Sequence, residues 1–220
     1  MKNVPLLIGT LVVTLMMIIG VAVIFSNPSD SQTAQDVVPV AEGTLVPEGA
    51  NVKGATESAV TIVEFSDFQC PACKATQPLV DGVMAQYGED VTLVFRNYPL
   101  ISIHRNAQAA AVFAEAAAEQ DAFWEVHDKL FEMQSEWEGI TSADELRATF
   151  VRYAQELGLD TAKLEEDMEN SAVVARVQRD ISDGNAANIN ATPTFYVNGV
   201  RTPAPQLLSA VEELVVDNDL

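Results

Sequence analysis

VTIVEFSDFQCPACKATQPL, residues 60–79, decides the fold. From Ala59 the run AVTIVEF is rich in β-branched residues, and VTLVFR at Val91 to Arg96 repeats that character after an interval the length of a helix. Short runs of this kind read as strands. Parallel strands need a crossover, and the residues between, from about Pro71 to Tyr87, suit a helix, so the segment predicts a βαβ unit in an α/β domain. Pro71 falls in the first helical turn, where its missing N–H removes no hydrogen bond. Pro78 falls in the interior and predicts a kink.

Cys70 and Cys73, in the sequence Cys70-Pro71-Ala72-Cys73, are the only two cysteines of the 220-residue chain. A bridge across two residues removes little entropy from the unfolded chain, so its value lies in reactivity rather than stability. A cysteine at a helix N-terminus meets unpaired N–H groups and the positive end of the helix dipole, which favour the thiolate. Cys70 occupies that place and is the expected nucleophile, and Cys73, one turn on, is the expected buried resolving thiol. A zinc site would need four ligands, and the only histidines, His104 and His127, lie far outside the usual H-x₃₋₅-H spacing. No metal site is expected, and each histidine reads as structural or surface.

The uncharged run from Val4 to Phe25, VPLLIGTLVVTLMMIIGVAVIF, is long enough to cross a bilayer and longer than the apolar core of a cleavable signal peptide. Lys2 precedes it, while Asp30, Asp36 and Glu42 follow with no Lys or Arg before Lys53. This asymmetry predicts a cytoplasmic N-terminus at 1–3, a transmembrane anchor at 4–25 and an extracytoplasmic domain, in a compartment where disulfides persist. Residues 26–50 are polar, contain Pro and Gly, and read as a tether. The formal charge of −20 makes nucleic-acid binding a poor reading. It leaves open a solvated acidic surface, adaptation to salt, or steering of basic unfolded substrates.

Between about 104 and 188 the chain is rich in Ala, Glu and Leu and reads as a helical block. Ser142-Ala143-Asp144-Glu145 fits a capping box, with Leu146, Phe150, Tyr153, Ala154 and Leu157 on one face up to Gly158. Ser171 is the expected cap of a further helix with Val173, Val177 and Ile181 inward. Thr194 to Arg201 reads as two short strands around Asn198-Gly199, a type I′ hairpin pair, and an amphipathic helix follows from about Ala204 to Val216.

With VTIVEFSDFQCPACK, FRNYPL, AFWEVHDKLF and TPTFYVNG in this order, residues from about 45 to 217 resemble the DsbA-like thiol:disulfide oxidoreductases of bacterial cell envelopes. The resemblance implies a thioredoxin fold with an inserted helical subdomain, preceded here by the one N-terminal transmembrane helix, with residues 51–220 as the thioredoxin-like domain. By the same resemblance Cys70 is the exposed nucleophile and Cys73 its buried partner, flanking the dipeptide Pro71-Ala72. Pro193 matches the family's cis-proline, and Thr192 before it presents its backbone to an extended substrate. Glu64 matches a buried acid beneath the cysteines that relays the resolving thiol's proton, although strand alternation alone could also turn it to solvent. Pro78 matches a structural helix kink. Strongly oxidising members carry a histidine between the cysteines, where this chain has Ala72; Lys74 is a slight substitute. A less depressed Cys70 pKa and a less oxidising pair than in those members are expected.

These readings add up to a membrane-anchored oxidase that passes the Cys70–Cys73 disulfide to thiols of exported or unfolded proteins. It needs no bound cofactor and is reoxidised by a membrane redox partner. The alternatives are the reverse flow, an envelope reductase, and a Cu(I) metallochaperone using both thiolates.

Overall fold

A computed structural model describes residues 45–55 and 58–217. Strand β2, Val60–Ser66, is central, and its side chains alternate between two apolar layers. Val60 and Ile62 meet Val80 and Val83 of helix α1, Pro71–Tyr87, together with Leu207 and Val211 of helix α8, Leu207–Asp217. Val63 and Phe65 face the other way, onto Leu45, Tyr98 and Tyr196. Each fully buried side chain of this kind contributes roughly 1.5–3 kcal/mol. Strand β3, Val91–Asn97, pairs parallel to β2 with Val60 opposite Val91 and Ser66 opposite Asn97, completing the expected βαβ unit.

The strands β1, Asn51–Gly54, β4, Thr194–Val197, and β5, Val200–Thr202, complete a sheet ordered β1-β3-β2-β4-β5 among the described residues. Apart from β2 with β3, the pairings are antiparallel. Asn198 and Gly199, both at positive φ (46° and 80°), make the β4–β5 turn, as the Asn-Gly pair predicts. Strand β1 had no signature in the sequence: NVKG is short and lacks alternation, and it forms because β3 offers an edge. Helix α1 runs unbroken through Pro78.

Helices α2 (Ala107–Ala118), α3 (Phe123–Glu132), α4 (Gln134–Trp137), α5 (Ala143–Glu156), α6 (Thr161–Glu169) and α7 (Ser171–Ala186) lie between β3 and β4. Phe113 stacks on Phe150 at 4.8 Å inside this block, and Trp137 closes on Phe150 from the side. The Ser142 hydroxyl accepts the Glu145 N–H, as the capping box requires. The cap of α7 is Asn170, one residue before the expected Ser171: its side-chain oxygen accepts the Ala172 N–H. Asn, like Ser, places an acceptor at the N-cap, so sequence alone could not choose between neighbours.

Arg96 on β3 is wholly buried and ties α7 to the sheet, with Nε 2.8 Å from Asp180 and Nη2 2.5 Å from Asp183. Its Nη1 donates to the Leu45 carbonyl at 2.7 Å, and Leu45 itself is 2% exposed. Residues 45–50, assigned by composition to the tether, therefore include a segment packed on the domain. The expected anchor at 4–25 lies outside the described residues, among which no helix is long and apolar enough to cross a membrane.

Candidate active site

Cys70 ends the β2–α1 connection as the residue before the helix, in extended conformation. Its N–H donates to the Asp67 carbonyl at 3.0 Å, and its carbonyl accepts the first helical bond, from Lys74 N–H, at 3.2 Å. The loop is held from several sides. The buried Asp67 carboxylate accepts the N–H of Gln69 (2.7 Å) and of Leu100 (2.8 Å), and lies 2.7 Å from His104 Nδ1. The Gln69 side chain accepts the Asn106 N–H and donates to the Glu138 carbonyl. From α4, Gln134 Nε2 donates to the carbonyls of Phe68 (2.8 Å) and Cys70 (3.1 Å). Asp67, Gln69, Asn106 and Gln134 are the positioning residues that sequence reasoning missed. Asp67 and Gln69 stand inside the quoted motif, but Asn106 and Gln134 reach it only through the fold.

Both cysteines are free thiols; Cys73 is 0% exposed and Cys70 7%, so the nucleophile is less open than the resemblance implied. Cys70 is drawn down from the ordinary thiol value to about 5. The largest cause is a hydrogen bond from the Cys73 thiol, with Thr192 and the N–H groups of Cys73 and Ala72 adding to it. Burial pushes Cys73 far up, and the neighbouring Cys70 sulfur reinforces that shift. One thiol is thus an anion near neutrality while the other keeps its proton. Lys74 takes no part, because its Nζ donates to the Glu132 carbonyl at 3.2 Å.

The Thr192–Pro193 bond is cis, and Cys70 Sγ lies 3.5 Å from the Thr192 carbonyl oxygen, which puts the substrate-facing backbone of the expected site beside the reactive sulfur. Glu64 faces inward, 1% exposed, with Gln77 Nε2 3.4 Å from its carboxylate. Burial raises its pKa to about 7, partly offset by Ser66 and Gln77. A carboxyl poised there can take or give a proton at physiological pH. His127, in the aromatic cluster of Phe68, Phe95 and Phe131, is pushed down by burial and hydrogen-bonds Asp128. A cavity of about 360 Å³ between α1 and α3 is lined by Gln77, His127 and Asp128 among others and contains neither cysteine. Among the described residues no group of three or more His, Cys, Asp and Glu side chains is arranged to hold a metal ion.

A family model described as thioredoxin matches residues 48–217. The Na(+)/H(+) antiporter NhaA 3 of Salinispora tropica is 39% identical over 171 residues, covering 77% of this chain and 25% of that protein. This chain therefore spans about a quarter of the length of the curated relatives it matches. A thioredoxin-like oxidoreductase from Silicibacter pomeroyi DSS-3 superposes with a TM-score of 0.65 at 31% identity, over 78% of this chain and 96% of that one. BdbD from Bacillus subtilis, in its oxidised form, gives 0.65 at 26% identity, over 76% and 93%. With the family model matching residues 48–217 and these structural likenesses beside it, the chain belongs to the thioredoxin family, as a DsbA-like member.

Proposed function

We propose that this chain is a membrane-anchored, extracytoplasmic thiol:disulfide oxidoreductase that works as an oxidase of exported proteins. The observation that carries the reading is the placement of the thiols: Cys70 stands at the start of α1 with its sulfur 3.5 Å from the carbonyl that precedes the cis-proline, while Cys73 is wholly buried one turn on, an asymmetry that favours a thiolate at the first and a proton at the second. Stabilising the thiolate stabilises the reduced enzyme, which makes the disulfide form the better oxidant. A substrate thiolate attacks Cys70 Sγ of the bridge, the S–S bond breaks, and Cys73 leaves as a thiolate that takes a proton. A second substrate thiolate then attacks the substrate sulfur of the mixed disulfide, expels Cys70 as the stabilised thiolate, and leaves the enzyme reduced. Thr192 and Pro193 bind the substrate backbone, and Glu64 supplies and recovers the proton. The chain needs no cofactor beyond its cysteines; a membrane redox partner removes the two electrons. The N-terminal run at 4–25 holds the domain at the outer face of the cell membrane.

Ala72, in place of a side chain that could add positive charge, favours the reverse flow as the second reading. The reduction potential decides between them. Equilibration of the full chain in thiol buffers should give about −120 to −180 mV for an oxidase, whereas about −270 mV would replace it by a reductase.

A further inference from the structure

Cys73 is buried and protonated, yet to close the ring it must become a thiolate, so its proton needs a route to an acceptor. Glu64 and Ser66 are two residues apart on β2 and share the face that α1 covers. Cys73 and Gln77 are four apart on α1 and share the face turned to that strand. The two pairs are in step: Gln77 Nε2 reaches Glu64 at 3.4 Å, and Ser66, buried at the end of β2 that leads into the first turn of α1, draws down both the Cys73 thiol and the Glu64 carboxyl against the effect of burial. The Ser66 hydroxyl oxygen is buried and no hydrogen bond holds it, an arrangement that calls for a reason in a native interior.

We propose that Ser66 is a catalytic proton relay, its hydroxyl accepting the Cys73 proton as it passes its own to Glu64. The inference rests on the thiol exchange proposed above. For a reduced enzyme that has attacked glutathione disulfide, Cys70 carries glutathione. Cys73 S–H then loses its proton through Ser66 to Glu64, its sulfur attacks Cys70 Sγ, and glutathione leaves as a thiolate. The enzyme is oxidised by two electrons and the glutathione disulfide reduced by two. The reverse proton path serves oxidase turnover. Other groups face this path. Asp81 on α1 raises Glu64, His127 on α3 faces Asp81 and Asp128, and Asn97 on β3, opposite Ser66, binds Glu115 and Asp180. None of these acids contacts Cys73.

Rapid mixing of the reduced full chain with glutathione disulfide separates a bimolecular first phase from a unimolecular resolving phase. In the unsubstituted chain the resolving rate should rise with pH and level off as Glu64 ionises, near about 7. Ser66→Ala should slow that phase by about 10²-fold at neutral pH, and the rate should climb without a plateau, with the loss confined to the resolving step. Ser66→Thr, which keeps the hydroxyl, should restore the plateau. A Ser66→Ala chain with the unsubstituted profile overturns the relay. Glu64→Gln with the unsubstituted profile overturns it differently, by removing the acceptor, and exchange surviving in Cys70→Ser overturns the thiol reading itself. If Ser66→Ala does not fold, the resolving rate of the unsubstituted chain in H₂O–D₂O mixtures is decisive: two protons in flight give a curved dependence, and a straight line overturns the proposal.

Discussion

Glu64 and Glu115 are both buried, at 1% and 2% exposure, and burial raises both carboxyls, but the two sites solve the problem differently. At the junction of sheet and insertion, Glu115 accepts from Arg176 at 2.8 Å and from Asn51 and Asn97 at 2.7 Å each. Beside it, Asp180 and Asp183 are matched by Arg96. Beneath the cysteines, Glu64 has Gln77 at 3.4 Å and Ser66, with another acid, Asp81, beyond. A buried acid given a cation holds elements together; one given only neutral partners stays protonatable. The first arrangement docks the insertion, and the second leaves a group poised for proton transfer.

The sharpest way to break the comparison is at the thiols. Cys70→Ser should remove exchange with a thiol peptide by 10³-fold or more, an order-of-magnitude expectation for loss of a nucleophile. Cys73→Ser should instead accumulate a mixed disulfide visible by mass; normal turnover in either variant would contradict the division of roles. At the junction, Arg96→Met strips the cation from Asp180 and should cost about 3–5 kcal/mol in urea unfolding. Surviving folded molecules should retain the Cys70 thiolate absorbance.

At Glu64 the sign of the pH effect is the test. Its folded pKa is raised from 4.5 to about 7, so across that window the folded state holds a proton that the unfolded state has lost, and stability falls as pH rises. Glu64→Gln should therefore be more stable than the unsubstituted chain above pH 7, by up to about 3 kcal/mol, and equal to it near pH 4. A gain independent of pH would mean that Glu64 is not the titrating group. The smallest effect is expected far from the site, where Ser142→Ala removes the α5 cap and should cost about 1 kcal/mol with exchange unchanged. Loss of exchange in that variant would mean that the insertion is coupled to the thiols more tightly than the hydrogen bonds of Gln134 imply.

The strand-helix-strand unit, the place of the cysteines at a helix start, the Asn-Gly hairpin and the Ser142 cap were legible in the sequence because each depends on neighbours a few residues apart: dihedral preference, side-chain period and terminal N–H groups are local. What only the tertiary structure decided depends on separations of tens of residues. Strand β1 exists because β3 offers an edge, Arg96 is buried because Asp180 and Asp183 arrive from α7, and Gln134 holds Cys70 because α4 returns to it. Alternation left Glu64 free to face either way; the covering of β2 by α1 turned it and Ser66 inward, toward the helix that carries Cys73. Periodicity assigns residues to faces, but only packing says which face is dry, and the dry face is where an unpaired carboxyl acquires a pKa useful at neutral pH.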